Sequence, residues 1–333
     1  MNDMAGVLRE KAHYNAALEM YQEALRIKED KLGPKHPATA TTMGGVGYVL
    51  YHQAQYDAAL KMYQEALEIK KEELGSKHPQ TATTMNGMAG VLHQQGKYDA
   101  ALELLQAALN IRKETLGPRH PKTASTMNDL AAVLRSQGQV VTALALYQEA
   151  LEIDKEKLGP RHPSTAIIMD NLAGVLKSQG EYDAALELYQ EAHEIRKEKL
   201  GLRHPLTANT MNNMAVVLEL QGEYNEALEL HQEALEITME TLGPQYPEVA
   251  TTLNNMASVL KLQGEYDAAL ELYQQALDIY KEKVGPKHVS TAIVLHNMAQ
   301  VHESRGEYDA ALGLDDNARI GLNESQAWSD GGL

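Results

Sequence analysis

Asparagine residues recur 42 residues apart along this chain, and their amide groups are its clearest candidates for binding chemistry. An amide side chain offers both a donor and an acceptor, so a row of them can hydrogen-bond an extended peptide backbone without reading its sequence. Duplication also copies residues that have no use, but asparagine is a mediocre helix former, which favours a function for the rows. One row holds Asn86, Asn128, Asn212 and Asn254, and the residue after it holds Asn171, Asn213, Asn255 and Asn297 in four successive periods.

Basic residues recur with the same period, seven residues after the first asparagine row. They include Arg135, Lys177 and Lys261, in a chain with 30 basic and 46 acidic residues and a net charge of −16. The pattern predicts a surface that selects acidic segments of a partner. The alternative is that these cations lie near helix C-termini and complement the helix macrodipole. The sequence leaves both interpretations open.

Catalytic and metal-binding patterns are missing from the sequence. It has no Cys, no HExxH motif and no Ser-His-Asp constellation, and Gly44, Gly45 and Gly47 follow no strand that would make a phosphate loop. Ligands of one metal ion lie within about 2–2.5 Å of it, whereas histidines one repeat apart are spaced by helix packing at about 10 Å. We therefore expect no enzyme, no metal and no cofactor, and we interpret the His-Pro pairs as loop-shaping. These histidines are His36, His78, His120, His162 and His204.

The charge and hydropathy of the chain bear on its partners and location. A net charge of −16 argues against binding to nucleic acid or to an anionic membrane. No apolar run approaches the roughly 18 residues that span a bilayer. The first ten residues, MNDMAGVLRE, lack the basic and apolar regions of a signal peptide. The sequence predicts a cytoplasmic protein whose partners are other proteins or peptides.

The elements that carry these residues are copies of one 42-residue unit. The best copy, Met211–Gly243, has apolar residues at helical spacing on both sides of Gln221-Gly222, and it ends at Gly243 before Pro244. No stretch shows the alternation of a strand. The sequence predicts an all-α fold of about eight helical hairpins. We assign position 4 of each repeat to the residues that begin the period, namely Met1, Met43, Met85, Met127, Met169, Met211, Leu253 and Leu295.

Within this numbering the small and aromatic residues resemble those of the tetratricopeptide repeat. That family has small residues at positions 8, 20 and 27, where its two helices approach closely. The resemblance implies a right-handed superhelix whose first helices line a concave groove, in which asparagine rows bind peptides. Position 20 is alanine in all eight repeats, and position 24 is tyrosine in five of them: Tyr21, Tyr63, Tyr147, Tyr189 and Tyr273.

The length of the repeat indicates a more specific resemblance within this family. A tetratricopeptide repeat is usually 34 residues long. Here a longer second helix and a Leu-Gly-Pro-Lys/Arg-His-Pro loop, as at Leu32–Pro37 and Leu158–Pro163, are similar to kinesin light chain and its relatives. That resemblance implies a cargo adaptor of a microtubule motor. Kinesin light chain holds the heavy chain through a heptad coiled coil that this sequence does not show, so the heavy chain is expected as a partner only if such a segment precedes it.

The sequence also predicts where the array ends. Residues 1–321 form the repeats, and residues 322–333 are expected to be a disordered tail. In the last repeat Asp315, Arg319 and Gly321 stand where Tyr, Leu and Ile belong. A solvating cap and a decayed sequence are both compatible with this change. The predicted function is a non-enzymatic scaffold, with the motor adaptor and an architectural rod as alternatives.

Overall fold

The computed structural model describes the backbone of residues 1–330, and the side chains of these residues except Glu10 and 320–330. The described residues form sixteen helices and no strand, which confirms the predicted all-α hairpins. The chain divides into two compact units, Met1–Lys199 and Leu200–Leu333. None of the described helices combines the length and apolar content that crossing a bilayer requires.

The odd-numbered helices are the first helices of the hairpins (A helices) and the even-numbered ones are the second (B helices). The first unit contains α1 (Asn2–Glu10), α2 (Tyr14–Leu32), α3 (Pro37–His52), α4 (Tyr56–Leu74), α5 (Pro79–Gln94), α6 (Tyr98–Leu116), α7 (Pro121–Ser136), α8 (Val140–Lys157), α9 (Pro163–Ser178) and α10 (Tyr182–Leu200). The second contains α11 (Pro205–Gln221), α12 (Tyr224–Thr241), α13 (Pro247–Leu262), α14 (Tyr266–Lys283), α15 (Val289–Ser304) and α16 (Tyr308–Asp330).

The helix α16 continues into the segment for which we predicted disorder. Its backbone is helical to Asp330, and residues 331–333 lie outside the described residues. The predicted array boundary at residue 321 and the disorder of 322–333 stay predictions. Within the described part of the last repeat, Ala318 is buried in the core of the second unit.

The His-Pro pairs start the A helices. In α3 the Nδ1 atom of His36 accepts a hydrogen bond from the Ala38 N–H at 3.1 Å, and Pro37 occupies the first turn. An N-cap acceptor satisfies a backbone donor that the helix itself cannot, and proline needs no acceptor there. Their loop-shaping role is thus confirmed. The same cap recurs at His78, His120, His162, His204 and His288.

The turn from A helix to B helix needs a backbone conformation with positive φ. From the third repeat on, glycine supplies it, as at Gly222 (φ 86°). In the first two repeats the residues are Ala12 (φ 58°) and Ala54 (φ 57°). An alanine held in this region costs roughly 1–2 kcal/mol. The first two turns are therefore strained where later ones are not.

Small side chains allow the two helices of a hairpin to pack closely, as the family resemblance implies. In the third repeat Ala89, Ala101 and Ala108 are fully buried. The larger residues at position 24 fill the space that remains, and Tyr147 and Tyr273 are fully buried as well. Each hairpin buries this stripe against its neighbours, which fixes the register of the A helices and hence of the candidate binding residues.

Candidate functional site

The first asparagine row does not lie on an open surface. Asn128 and Asn212 retain only 7% and 5% exposure, and Asn86 and Asn254 are half-buried. The predicted groove-facing placement of position 5 is therefore wrong for Asn128 and Asn212. The prediction used the helical wheel of the A helix alone. Asn128 accepts a hydrogen bond from Asn171 on the next A helix, and Asn212 pairs with the buried His231 of its own B helix.

In the first unit these amides form a network that links successive A helices. Asn86 Nδ2 donates to Asp129 Oδ2 at 2.8 Å and to Thr126 Oγ1 at 3.3 Å. Asn128 Nδ2 donates to Asp129 Oδ1 at 3.3 Å, and Asn171 Nδ2 donates to Asn128 Oδ1 at 2.9 Å. Burial raises the pKa of Asp129, while the hydrogen bonds from Asn86 and Asn128 lower it. Position 5 thus binds position 6 of the next repeat.

In the second unit, too, an asparagine at position 5 binds position 6 of the next repeat. Asn297 Nδ2 donates to Asn254 Oδ1 at 3.0 Å, the same pairing as Asn171 with Asn128. Asn254 Nδ2 lies 3.4 Å from Asn255 Oδ1. Asn212 instead pairs with the buried His231, Oδ1 to Nδ1 at 2.5 Å, and burial lowers the pKa of His231 to about 4.

The second asparagine row remains accessible. Asn171, Asn213, Asn255 and Asn297 are all half-buried. In the described structure Asn171 uses one N–H on Asn128, which leaves its carbonyl oxygen and its other N–H available to a partner. Asn213 likewise donates once, to Asn209 Oδ1 at 3.3 Å. Asn86 and Asn254 of the first row are half-buried as well, so the second row differs in having no fully buried asparagine.

The predicted cations are half-buried on the same A helices. Arg135 lies against the backbone of Gly174, where a Cβ atom would be only 2.6 Å from Arg135 Nη1. The absence of a side chain at Gly174 therefore makes room for Arg135. Lys261 Nζ donates to Gln300 Oε1 at 2.6 Å; burial lowers its pKa, and the charge of Glu219 raises it. Lys177 is half-buried at the same position.

A row of polar residues on the B helices, buried in all but the first repeat, was not predicted from the sequence. At position 31, Arg112 donates from Nη1 to Lys122 O and to Thr126 Oγ1, both at 2.6 Å, and from Nη2 to Thr83 Oγ1 at 3.3 Å. This one side chain joins α6 to the A helices on both sides of it. A charged residue at one fixed position of every early repeat was the available signal. The row runs Lys28, Lys70, Arg112, Asp154, Arg196, Thr238 and Tyr280.

Glycine at position 6 of the second and third repeats avoids a clash with a tyrosine ring. A Cβ on Gly45 would lie 2.7 Å from Tyr21 Cε1, and one on Gly87 would lie 2.5 Å from Tyr63 Cε1. The tyrosine rings at position 24 thus occupy the space that an asparagine side chain uses at position 6 of later repeats. The interpretation of Gly44, Gly45 and Gly47 as helical residues is confirmed, because α3 runs unbroken from Pro37 to His52.

Aromatic side chains gather on the A-helix face of the second repeat. His52 stacks on Tyr14 with 5.0 Å between ring centroids and lies 4.5 Å from Tyr48, while the guanidinium of Arg9 sits 4.8 Å above the Tyr48 ring. Burial, and to a smaller extent the charge of Arg9, lowers the pKa of His52 to about 4. The A-helix face therefore changes along the first unit from aromatic to amide-rich.

These features define a helical-hairpin repeat protein, and comparison with known families agrees. The tetratricopeptide repeat family model matches seven overlapping segments, 1–72, 45–114, 80–156, 123–198, 165–240, 206–282 and 248–315. The chain belongs to the tetratricopeptide repeat family. A search of curated proteins gave no match.

Solved structures with a similar fold include kinesin light chain-like proteins, as the repeat length predicts. BtubC (BKLC) from P. vanneervenii is 22% identical with a TM-score of 0.51, over 72% of this chain and 92% of its own. A putative kinesin light chain repeat protein of Podosopora anserina is 26% identical with a TM-score of 0.48, over 62% and 97%. The Rap conjugation regulator of plasmid pLS20, solved in complex with the Phr* peptide, is 16% identical with a TM-score of 0.71, over 88% and 76%.

Proposed function

We propose that this chain is a non-enzymatic, cytoplasmic scaffold that binds an extended or short helical segment of another protein along its A helices. The supporting observation is the row of half-buried amides at position 6. Asn171 keeps a free carbonyl oxygen and a free N–H after its one hydrogen bond to Asn128. Such a pair of groups matches the alternating donors and acceptors of a peptide backbone. A structural neighbour solved with a bound peptide illustrates that this fold can hold one.

Acidic segments are the preferred ligands in this proposal. Arg135, Lys177 and Lys261 are half-buried cations on the same helices as the amides. A partly buried cation is screened less by salt than an exposed one, so it contributes more to binding a carboxylate. We expect affinity for an acidic peptide to fall when Arg135 is replaced by Gln, while affinity for a neutral peptide stays unchanged.

A peptide-array screen tests the proposal. The wild-type chain is compared with the triple variant Asn171→Ala, Asn213→Ala, Asn255→Ala. Losing three hydrogen bonds of about 0.5–1.5 kcal/mol each lowers affinity at least tenfold. The matched control removes three exposed amides from B helices, at Gln148, Gln190 and Gln232, and should bind as wild type. Unchanged binding by the asparagine variant would refute the role of the row.

A motor adaptor is the second candidate. The 42-residue period and the Leu-Gly-Pro-Lys/Arg-His-Pro loops favour it, and kinesin light chain-like proteins are among the structural neighbours. Its test is a pull-down of kinesin heavy chain from a lysate with the natural gene product. Recovery of heavy chain would support the adaptor, and its absence beside a positive peptide screen would leave the general scaffold.

A further inference from the structure

One buried carboxylate in the first unit has no partner that accounts for its burial. Asp154 on α8 is 2% exposed, and its Oδ1 atom accepts no hydrogen bond within the described structure. Leaving a buried acceptor unsatisfied costs about 1–3 kcal/mol, and more when the group is charged. Desolvation raises the pKa of Asp154 to about 6, opposed only by the field of His162.

The preceding repeats show what normally occupies this place. Lys28 Nζ donates to Thr42 Oγ1 at 2.8 Å and to Ala38 O at 3.2 Å. Lys70 Nζ donates to Thr84 Oγ1 at 3.0 Å. In these repeats a cation extends from the B helix and donates to a threonine of the next A helix. Position 31 therefore places an ammonium or guanidinium group against this threonine in each of the first three repeats.

Arg112 extends to the surface of the A helices. Its Nη2 atom donates to Thr83, an exposed residue of α5, so the guanidinium extends from the core to the A-helix face. One period later, Ser125 takes the register of Thr83, and Ser164 takes that of Lys122, whose carbonyl Arg112 also binds. Ser125 is exposed and Ser164 is half-buried. Two of the positions that Arg112 contacts are thus serines in the fourth repeat, and one of these serines is exposed.

The fourth repeat replaces the cation and its acceptor together. Asp154 stands where Lys28, Lys70 and Arg112 stand, and Ile168 stands where threonine accepts their hydrogen bonds. The neighbouring carboxylates are already engaged, since Asp170 pairs with Arg196 and Asp129 accepts from two asparagines. Asp154 is the one of these three acids whose oxygen stays unbonded.

We propose that Asp154 is the base of a subsite for a basic side chain of the bound partner. A lysine or arginine of the ligand enters past Ser125 and places its cation where Arg112 places its own guanidinium one repeat earlier. The Asp154 carboxylate, the Ser125 hydroxyl and the Ser164 carbonyl would surround it. This deepens the proposed groove function by adding a basic residue to the ligand, beside acidic residues that face Arg135.

The test uses small cations, so it does not need the natural partner. The full chain is labelled with carbon-13 at its aspartate carboxyls, and Asp154→Asn assigns the signal. L-argininamide is titrated at pH 7, with L-citrullinamide, its neutral isostere, as the matched control. We expect argininamide alone to shift the Asp154 signal to saturation and to lower the pKa of Asp154. No shift, or an equal shift with citrullinamide, would overturn the subsite.

A second variant tests whether the site at Asp154 accommodates a cation that the chain itself supplies. Asp154→Arg should supply the missing cation as Arg112 does, which raises the melting temperature of the chain. A lower melting temperature would show that the space does not fit a cation and would contradict the proposal. If argininamide binds but no peptide in the screen does, the proposed function is refuted and the subsite stands. If a peptide binds but argininamide does not, only the subsite is refuted.

Discussion

The first three repeats and the last three share a backbone but fill the space between successive A helices differently. In the second and third repeats glycine stands at position 6, and a tyrosine ring from a B helix lies over it, as Tyr63 lies over Gly87. In the late repeats an asparagine of the A helix takes that space, as Asn297 does when it binds Asn254. Position 31 changes as well, from the buried Arg112 to the buried Thr238, which only bonds back to Ala234 O at 2.6 Å.

The difference shows which requirement the repeat imposes. Each junction between A helices must be filled and its polar groups satisfied, but the filling group can come from either helix of the hairpin. Where a ring fills the junction the surface is apolar, and where an amide fills it the surface presents donors and acceptors. One scaffold thereby carries two kinds of surface without any change of period.

Removing Arg112 should produce the largest loss of stability. Arg112→Met removes the closer of the two donors to the Thr126 hydroxyl and deprives Asp129 of the nearby positive charge. Breaking such a buried charged network costs about 4 kcal/mol. The matched variant Thr238→Val, at the same position of the sixth repeat, should cost about 1 kcal/mol or less. Urea unfolding measures both, and equal losses would contradict the contrast between early and late repeats.

Acid should weaken the sixth repeat through His231. Burial holds its folded pKa near 4, below the unfolded value of about 6.5. The folded state therefore binds fewer protons, and its stability is complete above pH 6.5 and lost as the pH falls towards 4. The loss is on the order of 3 kcal/mol. The variant His231→Tyr, which restores the tyrosine of most other repeats, should show no such loss in unfolding measured between pH 7 and 4.

Adding one methyl group to α5 should have opposite effects at two glycines. Gly87→Ala places a Cβ against the Tyr63 ring and should destabilise the chain by about 2 kcal/mol, the cost of overpacking. Gly90→Ala, in the same helix, meets nothing within 4 Å and should stabilise it by about 0.5–1 kcal/mol. Thermal unfolding compares them. A stable Gly87→Ala variant would mean that the ring does not fill this junction.

The smallest effect is expected at the strained turns of the early repeats. Ala54→Gly removes a Cβ from a residue at φ 57° and should stabilise the chain by about 0.5–1 kcal/mol. Gly138→Ala, at the equivalent turn with φ 79°, should destabilise it by about 1 kcal/mol. Chemical denaturation of the two variants measures this, and a loss at both positions would show that Ala54 carries no strain.

The fold was predictable from the sequence because each repeat shows the same pattern of small and apolar residues. Small residues at positions 8, 20 and 27 and, from the third repeat on, glycine at the turns determine the hairpin from local information. The burial of Asn128 and Asn212 was not predictable, because it depends on contacts with other helices, namely with Asn171 on the next A helix and with His231 on a B helix. A helical wheel contains only intrahelical geometry. Arg112 was missed for the same reason, since its acceptors lie on two other helices.

Because the sequence has no cysteine, single introduced cysteines can test the central claim that a peptide binds along the A helices. Single cysteines are placed on A helices (Ser125→Cys, Asn209→Cys) and on B helices (Glu187→Cys, Glu271→Cys), all at exposed positions. The rate of thiol alkylation is then measured with and without a saturating peptide from the array. Binding along the A helices predicts that the peptide slows alkylation at Ser125→Cys, at Asn209→Cys or at both, and at neither B-helix cysteine. Protection of the B-helix cysteines, with the A-helix cysteines unaffected, would contradict it.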